Sequence, residues 1–187
     1  MIYQVDPSNW VKEHADYLYA FAFARISDVE RAKDLVQDTF LAGLEKLNRF
    51  EGKSSIRTWL TAILKNKIID EYRKKSSGLK TTQLTDVGNS EDIFFDESSG
   101  SWLPDKCPIE FGLENQDEFN KKEFEQVLQK CFQKLPKLWE AIFIMKYMDD
   151  EPADFICKEL KVTNSNFWVI THRTKLKLRA CLQNSWL

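Results

Sequence analysis

Apolar side chains return every three or four positions along two long stretches of this chain, the period of a helix with one buried face. Trp10, Tyr17 and Phe21, with His14 in register and Leu18 and Ala22 beside them, predict a first helix over about residues 8–26. Ser27 to Glu30 reads SDVE, a capping-box signature that starts a second helix, whose apolar face carries Ala32, Leu35, Val36, Phe40, Leu44 and Leu47. Periodicity breaks in NRFEGKSS around Gly52, where Ser54 or Ser55 offers the next N-cap. The third helix runs to about Lys75 with Ile56, Leu60, Ile63, Leu64 and Ile68 on one stripe. Three helices of this length can close a small core.

From Ser76 to about Pro108 the chain turns to Ser, Gly, Thr, Asp and Glu, the composition of a linker. Ile93, Phe94, Phe95 and Trp102 interrupt that polarity, so part of the linker is expected to dock. Helical periodicity returns from Gln116, through Phe119, Phe124, Val127, Leu128, Cys131 and Phe132, then from Leu138 to Met148 after a break at Leu135 and Pro136. The expected fold class is all-α: two small helical domains, residues 1–75 and 116–187, joined by a flexible acidic linker over 76–115.

Composition narrows this picture. With 43% hydrophobic and 30% charged residues the chain can build real cores and is not generally disordered. A net charge of −2 hides a strong local polarity. Arg49 to Lys80 carries nine basic residues against three acids, Asp86 to Glu118 ten acids against one base, and Lys158 onward six basic residues against one acid. Two basic blocks flanking an acidic connector can steer two modules toward phosphates, although each run also suits a solvated face. Cys107, Cys131, Cys157 and Cys181 are far apart with only His14 and His172 to help, so reduced cysteines and no metal site are expected. No apolar run approaches a membrane span and the N-terminus lacks a signal pattern, which predicts a cytoplasmic protein without membrane insertion.

Two constellations carry candidate chemistry. EPADFICKELKVTNSNFWVITHRTKLKLRACL has the pattern of a helix-turn-helix. Pro152 suits a first helical turn, Ile156 and Leu160 face the core, Val162 plugs the turn, and the second helix packs through Phe167 and Ile170. Its outward residues are Asn164, Ser165, Asn166, Trp168, His172 and Arg173, followed by Lys175, groups able to reach groove edges and phosphates. Lys161 stands where such turns often have Gly, a cost of about 1 kcal/mol if the backbone there is left-handed. In the third helix, Asn66, Asp70 and Arg73 share a face away from the apolar stripe, with Trp59 at its edge. Phe50, Lys53 and Ser54 in the preceding loop, with Arg57, could surround an extruded base, because separated strands are held by cations and aromatic platforms. Phe50 and Trp59 also suit the core.

DLVQDTFLAGLEKLNRF followed by SSIRTWLTAILKNKIIDEYRK resembles region 2 of the extracytoplasmic-function sigma factors of the sigma-70 family. LPKLWEAIFIMKYMDDEPADFICKELKVTNSNFWVITHRTKLKL resembles their region 4. The resemblance implies that Asp34, Leu35, Gln37, Asp38 and Phe40 dock on core RNA polymerase, at the coiled coil of its beta-prime subunit, with the beta subunit also a partner. It further implies that the loop and third helix open and read the minus-10 element of promoter DNA, that the recognition helix reads minus-35, and that an anti-sigma factor is a partner. Trp168, Val169 and Ile170 stand where the family usually has basic residues. No paired nucleophile and base, phosphate-cradling Gly loop or metal cluster is evident, so neither catalysis nor a cofactor is expected. A stand-alone helix-turn-helix regulator is the rival reading and would leave DLVQDTF and TWL without a role; an interaction module whose helical faces bind a partner, without DNA binding, is the third.

Overall fold

The computed structural model describes residues 7–76, 94–96, 99, 101–104, 107 and 118–185. Among them the elements are α1 (Trp10–Ile26), α2 (Val29–Lys46), α3 (Ile56–Ser76), α4 (Glu118–Gln133), α5 (Lys137–Tyr147), α6 (Ala153–Leu160) and α7 (Asn164–Ser185), with 3-10 turns at Pro7–Asn9 and Leu47–Arg49. The fold is all-α, and the chain divides into two compact units, Met1–Lys74 and Lys75–Leu187. The position of Ile93, expected to dock, lies outside the described residues.

In the first unit, α1 ends where Ser27 turns left-handed (φ 55°) and returns its N–H to the carbonyl of Phe23. Ser27 therefore does not cap α2 as the SDVE pattern suggests. Asp28, in extended conformation, does: its Oδ1 accepts the N–H of Arg31 at 3.0 Å. Ser55 caps α3 by accepting the N–H of Thr58 at 3.1 Å. The core takes Trp10, Leu18 and Ala22 from α1, Ala32, Leu35, Val36 and Phe40 from α2, and Leu60, Leu64 and Ile68 from α3. Leu44, expected on the buried face of α2, is instead exposed.

Gly43 sets how closely these helices approach. A Cβ at that position would stand 2.8 Å from Cδ2 of Leu60 and 3.1 Å from a ring carbon of Trp10, both buried side chains. Polar ties supplement the packing. Tyr72 donates its hydroxyl to the carbonyl of Arg25 at 2.9 Å, joining α3 to α1. Arg31 of α2 meets the buried carboxylate of Glu71 on α3 at 2.7 Å. The hydrogen bond to Glu71 holds the Arg31 guanidinium above its ordinary pKa against the opposing effect of burial. Deleting Arg31 would remove a charged partner from a buried carboxylate, which is the expensive way to break such a pair.

In the second unit α7 packs against α4, α5 and α6. Pro136 and Pro152 both sit just before a helix, at the N-caps of α5 and α6, so Pro152 precedes the first turn and does not occupy it. Helix α6 ends at Lys161 in the left-handed conformation (φ 56°), so the strain anticipated there is present. Thr171 and Thr174, buried on α7, satisfy their hydroxyls on the carbonyls of Phe167 and Ile170. Buried Glu140 meets Lys137 at 2.8 Å, and burial pushes its carboxyl pKa up while that hydrogen bond opposes the rise.

One feature differs from expectation. Cys131 and Cys181 are joined in a disulfide, Cα to Cα 5.8 Å, tying α4 to α7 beside Phe132, Leu135, Leu178 and Leu182. They come together because both lie on core-facing positions of helices that pack side by side, a proximity that 50 residues of separation conceal. On the loop-entropy account a closure of that length contributes about 4 kcal/mol. Cys107 and Cys157 are free thiols. The connector also supplies a strap to α7. Phe95 and Trp102 form an antiparallel bridge, with N–H groups of Asp96 and Leu103 donating to the carbonyls of Ser101 and Phe94 at 2.9 Å. Phe94 is 1% exposed, and the Arg179 guanidinium lies 5.2 Å from its ring and 4.6 Å from that of Trp102.

Gly43→Val, which adds branched bulk at the closest approach of the first unit, should destabilise the protein by about 1–3 kcal/mol. Urea denaturation followed by circular dichroism measures this; an unchanged midpoint would mean that the helices stand further apart.

Candidate functional site

The outward face of α2 follows from its inward one. Burial of Ala32, Leu35, Val36, Thr39 and Phe40 turns Asp34, Gln37, Asp38 and Leu41 to solvent at helical spacing. Leu35 and Phe40, which the family resemblance placed among the docking residues, are only 2% and 9% exposed, so they hold the helix and do not present a contact surface. The apolar part of the outward strip comes from Leu41, 60% exposed, and Leu44. Their spacing from Gln37, four and seven residues on, was the available sequence signal. Asp34 lies 3.6 Å from Arg31, while Asp38 is exposed.

The loop before α3 turns at Gly52 (φ 69°), and Lys53 pairs with Glu51 at its tip. Phe50 packs on Trp59 with ring centroids 5.0 Å apart, and Trp59 meets Trp10 edge-on at 6.0 Å. Both aromatics suggested as a base platform are thus partly buried yet joined beneath the loop. Trp59, Asn66, Asp70 and Arg73 lie at i, i+7, i+11 and i+14, one face of α3. There Arg73 donates to Asp70 at 2.6 Å, and Asn66 is exposed beside them. Ser54 is exposed in the loop. Arg57 does not join this face: its guanidinium lies 5.1 Å from the Tyr17 ring of α1, because two residues of helix turn it away from Trp59.

Thr163 receives the N–H of Asn166 and starts α7. Phe167, Ile170, Thr171, Thr174 and Leu178 face the core, leaving Asn164, Ser165, Trp168, His172 and Lys175 as an exposed strip. Trp168 is 57% exposed, so the indole is not a core residue. Asn166 and Arg173, expected on the same outward face, are half-buried on a flank, with Arg173 roughly 140° around the helix from Trp168. Arg173 was grouped with the reading face by proximity in sequence, whereas the helical period separates it. His172 carries a further partner: Phe95 of the connector stacks on it, ring centroids 6.4 Å apart. The Lys175 ammonium lies 4.8 Å from the Tyr147 ring.

Among the described residues no three metal-ligating side chains gather, and no helix is long and apolar enough to cross a membrane. The arrangement offers an acidic and apolar helix face, an aromatic and polar helix face with a basic loop, and a helix-turn-helix. Residues 10–78 match sigma-70 region 2. The chain is 34% identical over 165 residues to a probable RNA polymerase sigma factor of Haemophilus influenzae, covering 88% of this chain and 84% of that one. It is 26% identical to the ECF sigma factor SigX of Bacillus subtilis, over 89% of this chain and 77% of that protein, and 22% identical to SigW of the same organism, over 91% and 86%. The chain belongs to the extracytoplasmic-function sigma factors of the sigma-70 family, the RNA polymerase sigma factors that direct promoter-specific initiation.

Proposed function

We propose that the protein performs this role by binding alone, in the cytoplasm, with residues 1–75 engaging core polymerase and the minus-10 element and residues 116–187 engaging minus-35. The observation that carries the reading is the outward strip of α2. Asp34, Gln37 and Asp38 stand beside exposed Leu41 and Leu44, a surface that needs a partner and that a stand-alone DNA-binding regulator would not use. This strip docks on polymerase. Phe50, Lys53, Ser54, Trp59, Asn66, Asp70 and Arg73 form the surface for separated minus-10 strands, where stacking returns about 1–3 kcal/mol per base and cations follow the backbone. Asn164, Ser165, Trp168, His172 and Lys175 enter the major groove at minus-35. Arg173 and Asn166 sit at the flank, where Arg173 reaches phosphate. Trp168 brings an apolar surface to the groove, and the apolar feature there is the thymine methyl.

Two outcomes follow. Charge reversal of Asp38 should weaken association with purified core polymerase about tenfold or more while leaving the circular dichroism spectrum and melting temperature unchanged. Unaltered pull-down would remove this face of α2 from the interface. Replacing minus-35 thymines by deoxyuridine should reduce binding about fourfold for each methyl that Trp168 covers, from ~0.8 kcal/mol per buried carbon. Trp168→Ala should abolish that sensitivity, and a methyl effect that survives the substitution would place the indole away from the bases.

A further inference from the structure

The disulfide of the second unit joins two sulfurs in unlike surroundings. Cys131 is 2% exposed, enclosed with Phe132, Leu135, Leu178 and Leu182, whereas Cys181 is half-buried at the rim of that cluster. Lys134, exposed just beyond the end of α4, brings its ammonium to 3.7 Å from Sγ of Cys181. One sulfur is therefore sealed, and the other can be reached and has a cation beside it. When such a bond opens or closes by exchange, a sulfur carries negative charge, and a neighbouring ammonium stabilises that charge. The packing accommodates both states. Phe143 and residues of α4 flank the same cluster, and a free thiol is itself a small apolar group, so α4 and α7 have contacts that hold them together without the bond. In cytosolic proteins a disulfide is the exception, and those that form are usually transient ones that sense or transfer oxidising equivalents.

We propose that Cys131 and Cys181 form a reversible thiol–disulfide site, in which Cys181 is the sulfur that meets a low-molecular-weight disulfide such as glutathione disulfide. The proposal rests on the reading that the protein works in the cytoplasm. Oxidation runs in two exchanges. The Cys181 thiolate attacks one sulfur of glutathione disulfide, forming a mixed disulfide and releasing one glutathione thiolate, which takes up a proton. Cys131 then gives its proton to solvent and attacks the Cys181 sulfur, closing the bond and expelling the second glutathione. The protein loses two electrons and two protons, and glutathione disulfide gains them. A reducing thiol reverses the path by attacking Cys181 first, because Cys131 is out of reach. The closed form ties α4 to α7, the helix whose exposed strip is assigned to minus-35, so the redox state sets how firmly that helix is anchored.

The test equilibrates the full chain in glutathione buffers from fully oxidised to fully reduced. Free thiols are trapped with a maleimide and located by peptide mass. The bond is expected to open and close reversibly within the range of cytosolic glutathione mixtures. Opening should lower the melting temperature by about 10 °C or more, since a closure of 50 residues is lost. Cys131→Ser should retain one glutathione on Cys181, and Cys181→Ser should take none on Cys131. Lys134→Gln should slow formation of the mixed disulfide about threefold or more, without moving the melting temperature of the reduced protein. A bond that no cytosolic mixture opens would be a fixed staple and would overturn the proposal, as would thiols that never pair. Equal uptake of glutathione at both cysteines would remove Cys181 as the entry sulfur. Failure of the cytoplasmic reading has a different signature: fractionated cells would hold the protein outside the cytoplasm, while the purified pair still titrates.

Discussion

The close approach of three helices at Gly43 is the constraint on which the first unit depends. A side chain there would collide with Leu60 and Trp10, so its absence lets α1, α2 and α3 pack around those two residues. Once they do, the faces are assigned. Leu35 and Phe40 go inward, which turns Asp34, Gln37, Asp38 and Leu41 outward. Trp10 is held against Trp59, and Trp59 carries Phe50 and with it the start of the loop. The other side of Trp10 becomes the back of the Tyr17 and Arg57 pocket. An acidic and apolar outward strip, the Phe50–Trp59 aromatic pair and a pocket are thus three consequences of one core.

The second unit solves a different problem, since α7 must be core on one side and exposed surface on the other. Its buried face meets α4, α5 and α6, and its two buried threonines satisfy themselves on the helix's own backbone. The strap of Phe94, Phe95 and Trp102 adds a further layer around Arg179 and His172, toward the C-terminal half. The N-terminal half keeps Asn164, Ser165 and Trp168 exposed. The left-handed turn at Lys161 sets the entry to that half, at a cost a glycine would avoid.

Helix positions were legible because each amphipathic stripe is long, and the break at Leu135 and Pro136 is unambiguous. Register within a helix was less so. Leu44 reads as a continuation of the apolar stripe of α2, yet the face it occupies is set by Gly43 and Trp10, contacts outside the local window. Leu35 and Phe40 were assigned to an interface by resemblance, but the core needs them more. Arg57 was grouped with its neighbours in sequence, while the partner that orients it, Tyr17, lies 40 residues away on another helix. The disulfide escaped for the same reason: spacing rules detect clustered cysteines, and these two meet only after α4 and α7 have packed. Docking of the connector could be anticipated from its aromatics, but its landing place on Arg179 could not.

The central claim is that this protein confers promoter choice on a polymerase that lacks it. Run-off transcription with purified core polymerase, on genomic promoter fragments from the source organism, tests it most directly. Transcripts that start at discrete positions only when the protein is added are the result the account predicts. Duplex DNA binding without core association and without any added transcript would contradict it.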